Sequence, residues 1–118
     1  MIHLLIAYED VCVRSIDGQD VEFAVEAMKY LTDKGFTLSI FTPKYSPKYG
    51  QDKVLGKIWF EKNNIPYQKP VPGADFIIIS PIALGCPISY SDVTIEGRKA
   101  ITKFADWYQI IRTLKQLR

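Results

Sequence analysis

Ile2 to Tyr8 is apolar at nearly every position. A short uninterrupted run of this kind suits a strand buried on both faces, as in parallel sheets. Glu9 and Asp10 end it, and Asp17-Gly18 marks the loop beyond. The rhythm then changes. Between Asp20 and Lys34, Ala24, Ala27, Met28 and Leu31 fall at i, i+3, i+4 and i+7, one stripe of a helix. Gly35 suits the left-handed position that closes it. Phe36 to Phe41 alternates with period two and predicts a second strand.

Two prolines and a glycine make Thr42 to Gly50 a loop, built on a small duplication, Pro43-Lys-Tyr-Ser46 and Pro47-Lys-Tyr-Gly50. Gln51 to Asn63 predicts a second helix, with Leu55, Ile58 and Trp59 on one face. Ile65 to Gln68 is at most a short strand, and Lys69 to Gly73 a connector. Phe76-Ile-Ile-Ile79 is the strongest strand signal in the chain. The stretch from Ile88 to Lys103 fits a strand, a helical turn or a partner-binding loop. A last helix is expected from Asp106, whose spacing to Gln109 is that of a capping box. Trp107, Ile110, Ile111, Leu114 and Leu117 form its apolar stripe.

Strand and helix alternating three times imply βαβ crossovers and a parallel sheet covered on both faces. Ligands of such sheets bind at the carboxyl ends of strands. Those ends are Glu9-Asp10, Thr42 to Lys44 and Ser80 to Ile82.

Composition narrows the function classes. The 118 residues suit a single domain with its own core, and an apolar fraction of 47% is that of a globular protein. No apolar run reaches the ~18 residues of a membrane span. The first residues read as a strand rather than a signal peptide, which places the protein in the cytoplasm. Two cysteines, Cys12 and Cys86, and one histidine, His3, make neither a disulfide framework nor a zinc site. All three read most simply as interior residues. A net charge of +2 does not by itself point to nucleic acid.

The order of elements, and the wording within it, resembles a small capless phosphatase-like member of the haloacid dehalogenase (HAD)-like hydrolases. Ile6-Ala-Tyr-Glu-Asp-Val11 stands where that family has its first strand and Asp-x-Asp-Gly-Thr. Glu22 to Leu31 echoes the first helix, Thr42 the hydroxyl residue ending the second strand, and Leu55 to Tyr67 the helix and turn before the third. Ala74-Asp75, the apolar strand and Ser80-Pro81 match the last motif, and Phe104-Ala-Asp-Trp107 the closing Phe-x-x-Trp. The resemblance spans almost the whole chain. It implies a three-layer Rossmann-like parallel sheet with helices on both faces, no cap domain, and one domain over residues 1–118.

The chemistry the resemblance would bring is largely missing. The family's nucleophilic Asp corresponds to Ala7, whose methyl cannot accept a phosphoryl group. The acid/base Asp corresponds to Glu9, and Asp10 adds negative charge where the family binds phosphate. Where the last motif would hold magnesium stands Ser80-Pro81, or Ile79-Ser80 if the register shifts by one, without a carboxylate in either, so no cofactor is expected, magnesium entering only if activity is retained.

Glu9, Asp10, Thr42 and Lys69 are the candidate catalytic relics; Thr42, Lys44 and Ser80 are the candidate ligand contacts; no residue is expected to hold a metal. The expected function is that of a pseudo-phosphatase, which binds a protein partner or a small anionic, phosphorylated ligand. One alternative is a hydrolase with an altered site built on Glu9. Another is a nucleic-acid module using Lys44, Tyr45, Lys48 and Tyr49. No membrane partner is expected.

Overall fold

A computed structural model describes residues 2–42 and 47–116. It is a compact α/β protein with a small parallel sheet. The elements are β1 (Ile2–Ile6), α1 (Ala24–Asp33), β2 (Thr37–Ile40), α2 (Tyr49–Lys62), β3 (Asp75–Ile79), β4 (Ile88–Ile95), β5 (Arg98–Ala105) and α3 (Trp107–Lys115). No helix of the described residues is long and apolar enough to cross a membrane.

The parallel sheet has the order β2-β1-β3. β1 pairs with β2 from His3↔Thr37 to Ile6↔Ile40, and with β3 from Ile2↔Asp75 to Ile6↔Ile79. Side chains alternate between the two faces of a strand. One face therefore carries Leu38, Leu4, Ile6 and Ile79, all buried. The other carries Ser39, His3 and Leu5, then Phe76 and Ile78, which are 41% and 42% exposed. β3 is thus apolar on both faces but covered on only one.

The expected stripe of α1 is buried as a whole, Ala24, Ala27, Met28 and Leu31. The helix begins four residues later than its sequence suggests. The Val21 amide bonds the Cys12 carbonyl and Val13 bridges Asp20, which draws residues 20–23 into the preceding loop. Phe23 then turns the chain in a left-handed conformation, its ring stacked on Tyr108 at 4.4 Å. In α2 the inward face is Gly56, Trp59 and Phe60 rather than the expected Leu55, Ile58 and Trp59; Ile58 is 55% exposed. A Cβ at Gly56 would come within 3.1 Å of Ile40 Cγ2, so the helix approaches β2 closely here and a larger residue would require the Ile40 side chain to shift. Residues 65–68 form no strand, although the Gln68 amide bonds the Leu38 carbonyl on the outer side of β2.

The segment without a clear sequence signal is a β-hairpin. β4 and β5 pair antiparallel from Ile88↔Ala105 to Ile95↔Arg98 and make no ladder with the parallel sheet. Glu96 and Gly97, both at positive φ, form the two-residue turn that matches the twist of such strands. The hairpin is tied down at its base. The Ala105 amide bonds the Asp10 carbonyl, the Asp106 amide bonds the Pro87 carbonyl, and Ser89 Oγ donates to Asp106.

α3 starts at Trp107, with Asp106 as its N-cap accepting the Gln109 amide, as the spacing predicts. Trp107, Ile110, Ile111 and Leu114 are buried; Leu117 lies outside the described residues. The Trp107 indole N–H donates to the Val11 carbonyl at 2.9 Å in the interior. That bond joins the last helix to the loop after β1.

Candidate functional site at the strand ends

The strand order reverses direction at β1, so the carboxyl ends of β1 and β3 flank the place where such sheets bind ligands. Backbone pairing runs on just past the strands: the Ala7 amide bonds the Ile79 carbonyl, and the Phe41 amide bonds the Ile6 carbonyl. Ala7, Glu9, Thr42 and Ser80 therefore gather at one end of the sheet, as their placement after consecutive strands implies.

Each of these groups is already engaged, apart from one. The Ala7 carbonyl accepts the Cys12 thiol at 3.4 Å. Glu9 Oε1 accepts Lys48 Nζ at 2.9 Å, and that carboxylate holds the Lys48 ammonium above its usual value. Ser80, 5% exposed, turns inward on its own loop: its hydroxyl accepts the Ile82 amide at 3.4 Å and its carbonyl accepts the Ala83 amide. Thr42 differs. Its hydroxyl oxygen is buried with no hydrogen-bond partner among the described residues.

Asp10 holds the loop together. It sits at φ 61, its amide bonds the Val13 carbonyl, and its carboxylate accepts both the amide and the hydroxyl of Ser15. Asp and Asn tolerate the left-handed region because their short side chains bond locally in this way. Lys69 is not brought to the strand ends. It follows Gln68, which is bonded to Leu38 and faces His3 near the start of the strands, and the chain leads on to the first residue of β3. Lys44 and Tyr45 lie outside the described residues. Lys48, also counted for the nucleic-acid surface, has its charge opposed by Glu9.

Two further carboxylates, which no motif marks, converge on the same place. Asp20 Oδ1 accepts the Trp59 indole N–H at 2.9 Å. Asp52, in the first turn of α2, has its carboxyl raised by burial and then by the Glu9 carboxylate, with Lys48 pulling the other way. The Tyr8 hydroxyl is raised by burial first, then by Cys12, Asp52, Asp20 and Glu9. The charges of Glu9, Asp20 and Asp52 thus all act on Tyr8. Asp52 follows Lys48 by one helical turn, which is the spacing that brings both to Glu9.

Among the described residues, carboxylates stand beside Lys48 at the strand ends, whereas a phosphate site concentrates donors and positive charge. The residues do not fit the magnesium that the family resemblance implies. Hard cations want several oxygen ligands, charged ones first. Ala7 offers none from its side chain, and the Ser80 hydroxyl is committed to its own turn. Among the described residues no group of three or more His, Cys, Asp or Glu side chains is arranged to hold a metal ion.

The cysteines and His3 fill interior positions. Cys12 is fully buried, which pushes its thiol well above its usual value and disfavours the thiolate. Burial also raises the half-buried Cys86. His3 is fully buried, stacked on Phe76 at 5.6 Å. An open cavity of about 320 Å³ lies at the base of the hairpin, against Glu22, Ser89, Phe104, Ala105, Tyr108 and Arg112. None of the candidate residues lines it.

The chain matches no family model, no curated protein and no solved structure.

Proposed function

We propose that the chain is a HAD-like domain of three-layer Rossmann-like build, without a cap, that has lost its hydrolytic machinery and acts by binding a protein partner. The strand order and the wording of the motifs support the scaffold. The loss of chemistry rests on Ala7, which stands at the end of β1 where the nucleophile would be, and on Ser80, which is turned into its own loop. The observation that carries the binding role is the uncovered apolar surface of β3 and its flanks: Phe76 and Ile78 on the strand, Ile82 and Leu84 just beyond it, the last two 76% and 105% exposed. Apolar surface gathered on one side of a small protein is characteristic of contact with another macromolecule. The carboxylates that act on Tyr8 favour that partner over an anionic small molecule at the strand ends.

The test is hydrolysis of a generic phosphate ester with magnesium, beside calorimetry with inorganic phosphate. Neither turnover nor binding is expected. Turnover that disappears in Glu9→Gln would overturn the proposal.

A second reading has one observation in its favour, the raised carboxyl of Asp52 beside Glu9. A carboxyl raised by its surroundings is a candidate for acid or base work. On this reading any turnover in the same assay falls in Asp52→Asn as well as in Glu9→Gln; turnover indifferent to Asp52 removes it.

A further inference from the structure

We infer that β3 is the contact through which two copies of this chain associate, their outer edges pairing antiparallel across a two-fold axis at Ile77 to make one six-stranded sheet. This names the partner in the binding role proposed above and rests on that role.

The two edges of the sheet are treated differently. The outer side of β2 is met by residue 68, whose amide bonds the Leu38 carbonyl. The outer side of β3 meets no described strand. Proteins usually blunt such an edge with lysine, proline, a bulge or a covering segment. Asp75-Phe-Ile-Ile-Ile79 contains none of the first three, and its only charge is Asp75 at one end.

The backbone register selects the pairing. The Ile79 carbonyl faces β1, where it accepts the Ala7 amide. Successive residues of a strand direct their backbone groups to opposite sides, so Phe76 and Ile78 present theirs outward. With the axis at Ile77, Phe76 of one copy stands opposite Ile78 of the other, twice. Both residues of each pair point their amide and carbonyl at the partner, as an antiparallel hydrogen-bonded pair requires. Their side chains also share a face, and aromatic against β-branched is among the favourable cross-strand combinations. The same arrangement sets the two Asp75 carboxylates at opposite ends of the ladder, each across from an isoleucine. A parallel pairing would bring them side by side.

The available area is adequate for a modest dimer. Val71, Phe76, Ile78, Ile82 and Leu84 are between 41% and 105% exposed along the strand and its two flanks. At roughly 100 Å² apiece they supply about 500 Å² on each copy, or about 1,000 Å² for the pair, the lower bound of a specific interface.

Sedimentation equilibrium of the full chain over a range of concentrations tests this, with circular dichroism to check that each variant is folded. A reversible dimer is expected for the unaltered chain. Phe76→Lys or Ile78→Glu alone is expected to weaken it about 10-fold or more, because each substitution enters the interface twice. The double variant Phe76→Lys with Ile78→Glu sets Lys opposite Glu in both pairs and is expected to restore association. A chain that stays monomeric at about 100 μM overturns the proposal and leaves the edge to a different protein. So does a dimer indifferent to the single substitutions. Failure of the double variant to restore what both singles abolish overturns the register and with it the proposed contact. Sedimentation reads only self-association, and the phosphate-ester assay reads only the loss of chemistry, so the two proposals fail separately.

Discussion

β3 and β5 are both rich in β-branched and aromatic residues, yet one belongs to the body of the molecule and the other to an arm. β3 runs Asp-Phe-Ile-Ile-Ile, and Ile79 at its end is buried with Leu4, Ile6 and Leu38. β5 runs Arg-Lys-Ala-Ile-Thr-Lys-Phe-Ala; only its last residues, Phe104 and Ala105, together with Thr102, are buried. Ile101, two places further out than Lys103, is 70% exposed. The difference lies in what supports each ladder. The parallel strands are held by helices packed against the sheet, the hairpin by three hydrogen bonds at its base and by its own turn. An extended segment takes its stability from the surface it is laid against more than from its composition.

The contrast can be broken where body and arm meet. Trp107 is fully buried and donates to the Val11 carbonyl, so Trp107→Ala leaves both a cavity and an unpaired buried acceptor. Urea unfolding is expected to show a loss of about 3–5 kcal/mol. A loss under about 1 kcal/mol would mean that this joint carries little of the fold.

Asp106 is the next largest case, because it caps α3 and anchors Ser89 at the base of β4. Asp106→Ala is expected to cost about 1 kcal/mol. Burial alone would raise its carboxyl, but the bonds from the Gln109 amide and the Ser89 hydroxyl hold it below the usual value. A group lowered in the folded state stabilises above its unfolded pKa and loses that contribution as pH falls through the folded one. The gap between variant and unaltered chain therefore closes in acid, below about pH 4. A gap that is constant with pH would assign the effect to packing.

Asp52 is smaller in effect and opposite in sign. Its carboxyl is raised by burial and by Glu9, so its folded pKa lies above the unfolded one. The folded state then gains from this group only in acid and loses that gain as pH rises through the folded value. Asp52→Asn is expected to raise the melting temperature modestly near pH 7 and to leave it unchanged in acid. A lower melting temperature at pH 7 would show that attraction to the Lys48 charge outweighs burial and Glu9 at this carboxylate. At the small end, Ile101→Ser on the outer face of the arm is expected to change unfolding by less than about 0.5 kcal/mol.

The elements of the body are legible in the residues because each carries one clear period. β1 and β3 are unbroken apolar runs, and α1 and α3 show stripes at helical spacing. α2 is less clear, since Val54, Leu55, Ile58, Trp59 and Phe60 wrap more than one face and only packing against Ile40 decides which turns inward. The hairpin was open for the same kind of reason. Three of its apolar residues, Tyr90, Ile95 and Ile101, are exposed, while serines and a threonine share the inner face, so hydropathy does not alternate along it. Its turn uses Glu96 before Gly97, where Asn or Asp is the usual signal.

At the strand ends, Glu9, Thr42 and Ser80 follow their strands in the chain, and the absence of a side-chain nucleophile at Ala7 needs no coordinates. What those residues do is another matter. That Asp10 bonds Ser15, that Lys48 answers Glu9, and that Asp20 and Asp52 join Glu9 in acting on Tyr8 follows from where loops and helices cross in space.

By itself the sequence determined the strands and helices of the body, the capped start of α3, and the absence of a carboxylate at Ala7 and at Ser80, because these are set by local spacing and residue type. Only the tertiary structure decided that β4 and β5 form an arm, that Lys48 answers Glu9, and that β3 keeps an edge no described strand pairs with. Each of these depends on contacts between residues far apart in the chain, and no local period records which surfaces meet and which are left uncovered.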